Sequence, residues 1–291
     1  MVATKIAAMG FLPFRAPKLV AAALVGAIAG AALWAVLHSW RIQRVARQAA
    51  IAAERELPKS TPSPPEEDRV PPARARVEST LRRMCRAAEL PYPPRELFLR
   101  AFKREAEMEI WARGDAPEFK LLETLPITAS SGGPGPKRKE GDRQVPEGFY
   151  AIDLFNPKSS FHLSMRVNYP NASDRVLSDP LTPGGDIYVH GANCSIGCLP
   201  LGDPNIERLY VLAFDSSNGG QQEIPIHIFP ARMAGKEWEA LAHEHAEDPV
   251  LSAFWETLKT GYDAFESTHR LPQVDVLEDG RYVVTPPSTS E

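Results

Sequence analysis

The chain has 291 residues, enough for one sizeable domain with appendages. A hydrophobic fraction of 43% and a charged fraction of 24% are those of an ordinary globular protein, and three cysteines are too few for a disulfide framework. A net charge of −4 argues against a nucleic acid as partner.

Residues 1–18 form a short N-terminal segment. Residues 19–40 follow, without a charge up to Trp40. As a helix they rise about 33 Å, enough to cross a hydrocarbon core of ~30 Å. The run is longer than a signal-peptide core and no convincing cleavage site follows it, so an uncleaved transmembrane helix is expected. Lys5, Arg15 and Lys18 precede it and Arg41, Arg44, Arg47 and Arg55 follow, a near balance that leaves orientation open on charge alone. Residues 41–75 read as a charged helix and a Pro-rich linker, extended over residues 59–72.

Within residues 76–96, Val77, Leu81, Met84 and Ala88 recur at helical spacing, and Pro91-Tyr92-Pro93-Pro94 ends the helix. Cys85 on that helix is most simply a buried residue. Residues 97–232 carry short strand-like runs at 97–102, 108–112 and 119–127, with Gly114-Asp115 marking a hairpin between the second and third. A long polar loop through Lys137, Arg138 and Lys139 comes next; such a basic loop is by default solvated. Strands resume at 149–154, 161–167, 186–190 and 222–229. A helix starts at Asp203-Pro204, with the aspartate as cap, proline in the first turn, and Ile206, Leu209, Tyr210 and Ala213 facing inward. Residues 233–291 read as a helical extension, two helices over 235–268, and a loose tail. The class is β-rich α+β.

The chemistry concentrates at Ile187–Cys198. A strand ends on His190, and Cys198 follows Ser-x-Gly within the next turn of chain. A free thiol titrates near ~8.5, and a nearby imidazole can activate it by forming a thiolate–imidazolium pair. Asp186, Tyr188 and His190 share one strand face. Asp186 is about 13 Å along the strand from His190, too far to orient the ring, so a backbone carbonyl is expected in that role. Gly197 permits unusual backbone angles, and the N–H groups around Gly197 and Cys198 are the expected oxyanion donors. Ser195 can brace the loop. The competing structural reading is a buried cysteine, or a Cys194–Cys198 bridge. His227 reads as a core histidine. His243-Glu244-His245 fails as a metal site because residues two apart on a helix diverge by roughly 200°. No metal is expected.

The pattern His190-Gly191 followed by Ser195-x-Gly197-Cys198 resembles the active-site signature of the L,D-transpeptidase (YkuD-type) catalytic domain, in its YafK-like branch, where the spacer is short. The match continues in Gly135-Pro136-Lys137 with Glu140-Gly141-Asp142, and in Pro146-Glu147-Gly148-Phe149-Tyr150. It also includes Asn156-Pro157 with Ser160-Phe161-His162-Leu163, Asn168-Tyr169-Pro170-Asn171-Ala172 with Asp174-Arg175, and Ile226-His227-Ile228-Phe229-Pro230. The resemblance covers roughly residues 97–232. It implies a mixed β-sandwich or barrel with an active-site loop. It implies Cys198 as nucleophile, His190 as proton acceptor and donor, no cofactor, and a peptidoglycan stem peptide attacked at the carbonyl of its third residue. It also places Tyr169 and Arg175 near the substrate cleft, where Arg175 is either a carboxylate clamp or a structural ion pair; Lys137 is a further candidate for the substrate's carboxylates.

Two positions depart from the broad family: Ile196 replaces a second histidine, and Leu199-Pro200 follows the cysteine. Both leave the acyl acceptor open. The expectations are therefore a stem-peptide transpeptidase, or an amidase of the same fold that cleaves cross-links or releases a wall-attached protein, or a non-catalytic wall-binding module. The inferred substrate places the domain outside the cytoplasm, tethered to the inner membrane.

Overall fold

The computed structural model describes residues 67–288. The expected transmembrane helix at 19–40 and most of the linker lie outside the described residues. Among the described residues no helix is long and apolar enough to cross a membrane.

The first helix among the described residues, α1 (Val70–Ala87), starts earlier than Val77, with Pro71-Pro72 in its opening turn. Proline's missing N–H costs nothing there and its fixed φ suits the helix, so the last prolines of the expected linker begin this helix instead. Val70, Ala73, Val77, Leu81 and Cys85 form its buried stripe.

Strands β1 (Glu96–Phe102), β2 (Glu107–Arg113) and β3 (Lys120–Pro126) form an antiparallel meander. Then come β4 (Gly148–Asn156), β5 (Ser164–Val167), helix α2 (Ala172–Leu177), β6 (Tyr188–His190) and the two-residue β7 (Leu199–Pro200). Helix α3 (Asp203–Asn218), strand β8 (Ile224–Phe229), helices α4 (Gly235–Glu244) and α5 (Pro249–Thr268), and a hairpin of β9 (Gln273–Val276) and β10 (Tyr282–Thr285) complete the chain. The first eight strands make one mixed sheet in the order β3-β2-β1-β8-β4-β5-β6-β7. Only β1–β8 and β6–β7 run parallel. The expected sandwich or barrel is thus a single curled sheet: just past β3, the Thr128 N–H donates to the Pro200 carbonyl of β7 at 2.8 Å.

Both faces of this sheet are covered. Strand residues alternate sides, so Leu97, Leu99 and Ala101 meet α1 and α3, while Phe98, Arg100 and Phe102 meet α5. That is why β1 is apolar almost without interruption rather than alternating. Helix α3 buries Ile206, Leu209, Tyr210 and Ala213, the face expected from the spacing. The hairpin β9–β10 and helix α2 were not expected; Tyr282 of β10 packs on Phe149 with ring centroids 5.0 Å apart, tying the C-terminal segment to the sheet.

Two buried charge clusters reinforce the α5 side. Arg100, 2% exposed, donates to Glu109 at 2.9 and 2.6 Å and to Glu266 at 2.6 Å. Burial pushes the Glu109 carboxyl up, but the Arg100 charge and hydrogen bonds from Trp111, Arg232 and Arg100 outweigh it and hold it below the usual value. Glu147 accepts from Lys103 Nζ (2.8 Å), the Gly135 N–H (2.8 Å) and Trp255 Nε1 (2.7 Å), joining β1, the long polar loop and α5. Removing one member of a buried pair leaves the other charge uncompensated. Glu147→Ala is therefore expected to lower the unfolding free energy by about 3–5 kcal/mol, read by chemical denaturation.

Candidate functional site

The site grows from the register at one end of the sheet. Ser164 of β5 stands opposite His190 of β6, and Val189 and His190 pair in parallel with Leu199 and Pro200. Residues 191–198 therefore leave β6 and return beside it. One position before Leu199, Cys198 falls level with Tyr188, so Tyr188, His190 and Cys198 project from the same side. The imidazole and thiol are diagonal neighbours, about 7–8 Å apart at the backbone on ordinary strand geometry.

Both line one cleft of about 460 Å³, with Asn156, Ser159, Ser160, Phe161, Ser164, Asp186, Tyr188, Cys194, Ser195 and Ile196. Cys85, Cys194 and Cys198 are all free; Cys194 is exposed and Cys198 half-buried.

Three supports hold the loop. The Asp203 carboxylate accepts the Ala192 N–H at 2.8 Å. Asp203 was expected to cap α3, but the N-cap is Gly202 and no side chain caps it; the carboxylate turns to the loop instead. Ser195 Oγ donates to the Cys198 carbonyl at 2.8 Å, accepts the Gly197 N–H at 3.1 Å, and meets Ser131 Oγ at 3.0 Å. Beneath Gly197, with φ +130°, the Gln144 carbonyl oxygen would lie 3.0 Å from an added Cβ. Gly191 is equally confined: a Cβ there would meet Asp203 Oδ1 and the Phe161 carbonyl oxygen, each at 2.7 Å.

His190 is 2% exposed, and its Nδ1 donates to the Gly191 carbonyl. A backbone carbonyl thus orients the ring and leaves Nε2 as the atom able to take a proton. The Phe161 ring lies over the imidazole at 4.8 Å between centroids. Sequence reasoning did not single out Phe161 for this; no local pattern ties a turn residue to a histidine in another strand.

The electrostatics favour neutral forms. Burial pulls the His190 pKa below its usual value, opposed by the Gly191 hydrogen bond. Burial pushes the Cys198 thiol up; the Tyr188 N–H favours the thiolate, while Asp186 and Cys194 disfavour it and Lys137 helps slightly. The thiol's own proton points to the Asp186 carbonyl at 3.5 Å. In the free site burial thus disfavours the charged form of each group, which works against the thiolate–imidazolium pair.

The three substrate-binding candidates do not line the cleft. Lys137 is buried rather than solvated and pairs with Asp142 at 2.6 Å. Asp142 also accepts the N–H groups of Arg138, Lys139 and Gln144, so this loop is a folded brace under Gly197. Tyr169 is buried and donates to the Pro183 carbonyl at 2.9 Å. Arg175 is exposed on α2, away from the cleft and without an ion pair among the described residues. Leu199 and Pro200 are buried in β7, so of the two departures only Ile196, 78% exposed, faces the cleft. His227 is a core histidine packed against Phe98 and Phe149, with burial drawing its pKa down to about 3 and its Nδ1 lacking a partner. Among the described residues no cluster of histidine, cysteine and carboxylate could hold a metal.

With Cys194 replaced by serine, alkylation of Cys198 by iodoacetamide is expected to rise with pH through a midpoint above that of an unstructured cysteine peptide. Gly191→Ala is expected to lower the thermal midpoint and to change the alkylation rate together, since the added Cβ would crowd the Phe161 backbone and the Asp203 carboxylate outside the loop.

No family model matches the chain. Over 197 residues the chain is 32% identical to a protein of Escherichia coli K12 named "Putative L,D-transpeptidase YafK", covering 67% of this chain and 76% of that protein. The same figures hold for its counterpart in Escherichia coli O157:H7. Among solved structures, the helical cell shape determining protein Pgp2 of Campylobacter jejuni is 17% identical, with a TM-score of 0.39, covering 63% of this chain and 73% of that one. L,D-transpeptidase 1 of Mycobacterium tuberculosis is 19% identical with a TM-score of 0.26, covering 46% of this chain and 61% of its own. On the YafK relationship, with the His190–Cys198 loop in place, this chain belongs to the YafK-like branch of the L,D-transpeptidase family.

Proposed function

We propose that this protein is a cysteine acyl transferase acting on peptidoglycan stem peptides. The observation that carries the reading is the convergence of Cys198 and His190 on one cleft in a chain of this family. Cys198 Sγ attacks the carbonyl of the third stem residue. His190 Nε2 takes the thiol proton and passes it to the amine of the departing residue, leaving a thioester. An incoming amine then attacks the thioester, returns its proton through His190 and regenerates the thiol.

The Cys198 N–H makes no hydrogen bond among the described residues and is the natural donor to the oxyanion. The Gly197 N–H is already held by Ser195, so Ser195 and Gly191 shape the loop rather than bind substrate. The domain works outside the cytoplasm, held at the inner membrane by residues 19–40.

One observation favours a hydrolytic variant. The cleft lining includes Ile196, 78% exposed, at the position where the broad family carries a second histidine, and that side chain gives an acceptor amine no hydrogen bond. Water needs none. In that variant the enzyme trims stems or releases cross-links or a wall-attached protein.

The full chain incubated with disaccharide-tetrapeptides and with cross-linked dimers separates these outcomes by mass spectrometry. New dimers support transfer; tripeptide or released monomer supports hydrolysis; binding without product supports a module without catalysis. Cys198→Ala is expected to abolish all products, and His190→Ala to lower kcat by about 10²–10⁴. Full activity in Cys198→Ala would overturn the assignment.

A further inference from the structure

One wall of the cleft is the turn between β4 and β5, which supplies Ser159, Ser160 and Phe161 to its lining. The Phe161 ring lies over the His190 imidazole, and its carbonyl crowds Gly191, whose own carbonyl orients that imidazole. This turn is not held by its own sequence. His162 takes φ +72°, a conformation that side chains larger than glycine seldom adopt, so neighbouring contacts must impose it. Its main anchor is a residue far away in the chain. Arg69 Nη1 donates to the Ser159 carbonyl at 2.8 Å and to the His162 carbonyl at 3.0 Å. The Arg69 N–H donates to the Pro157 carbonyl at 3.2 Å. The His162 ring adds a tie to Glu207 of α3 at 2.7 Å. Among the described residues the Arg69 guanidinium meets carbonyl oxygens and no carboxylate. A charged donor spent on two carbonyls of one turn fixes a shape rather than balances a charge. Arg69 stands at the head of α1, in the stretch whose prolines read as linker. The cleft wall is therefore clasped from outside the 97–232 span that carries the family resemblance.

We propose that Arg69 is a positioning residue for the reaction at Cys198: its clasp on the 157–162 turn seats Phe161 over His190. The effect on turnover rests on Cys198 being the nucleophile; the clasp itself does not. Arg69 does not line the cleft and acts through the turn alone. With the clasp released, His162 relaxes from its left-handed conformation, the Phe161 ring leaves the imidazole, and water reaches Nε2. No bond is made or broken at Arg69.

The test uses the full-length chain with a disaccharide-tetrapeptide, following release of the terminal stem residue, the step common to transfer and hydrolysis. Arg69→Ala is expected to lower kcat about tenfold, as misplaced groups do, with KM near the wild-type value. Arg69→Lys keeps a donor for the two carbonyls and is expected to recover most of that loss. Phe161→Ala is expected to lower kcat by a similar factor. Adding Arg69→Ala to it is expected to cost nothing more, because both changes act through one ring. Wild-type turnover in Arg69→Ala, no recovery in Arg69→Lys, or losses that multiply in the double variant overturn the proposal. A second readout needs no turnover. With Cys194→Ser in place and Cys85 buried, iodoacetamide reports Cys198 alone. An imidazole opened to water is the stronger base, so alkylation is expected to quicken in Arg69→Ala and in Phe161→Ala, and no further in the double variant. Unchanged alkylation in Arg69→Ala also overturns the clasp. If the wild-type chain releases no terminal residue but alkylation follows this pattern, acyl transfer falls and the clasp stands; release with losses that multiply does the reverse.

Discussion

The site depends on one constraint of chain geometry: residues 191–198 link two strands that run parallel and lie side by side. Parallel neighbours ordinarily need a crossover of a dozen or more residues. Here the return is made within a single irregular loop, because Gly197 takes φ +130° and Ala192 takes φ +55°. That short return sets Cys198 level with Tyr188 rather than beyond His190. The contacts of Asp203, Ser195 and Gln144 each secure a different point of the same loop. A longer loop would have been easier to form and would have left the thiol without a fixed relation to the imidazole.

The same burial that fixes the pair also disfavours its charged forms. His190 lies almost wholly out of water under Phe161, and Cys198 is half-covered. Taking a charge out of water is costly, so burial favours the uncharged form of both the thiol and the imidazole. A resting neutral thiol is also a poor target for oxidants, whose chemistry runs through the thiolate. This matters in a cleft where Cys194 is exposed.

Much of this was legible from the residues themselves. The meander at 97–127, helix α3 and the two helices within 235–268 follow from apolar spacing and turn residues that act locally. His190 at the end of its strand could be seen for the same reason. What could not be seen depends on partners distant in sequence. Lys137 looks like a loop cation until Asp142 folds back onto it. Asp203 has every local mark of a cap, and only the arrival of Ala192 diverts it. Strand β7 is two residues long, too short for any periodicity, and exists because β6 is there to pair with it. The β9–β10 hairpin sits in a stretch rich in charge and proline, and its order comes from Tyr282 meeting Phe149 and Asn171.

Pro200 gives the sheet's last strand an unusual outer rim. Proline has no N–H to offer, and its carbonyl already accepts from Thr128. At Pro200 the rim therefore offers a visiting strand neither a free N–H nor a free carbonyl.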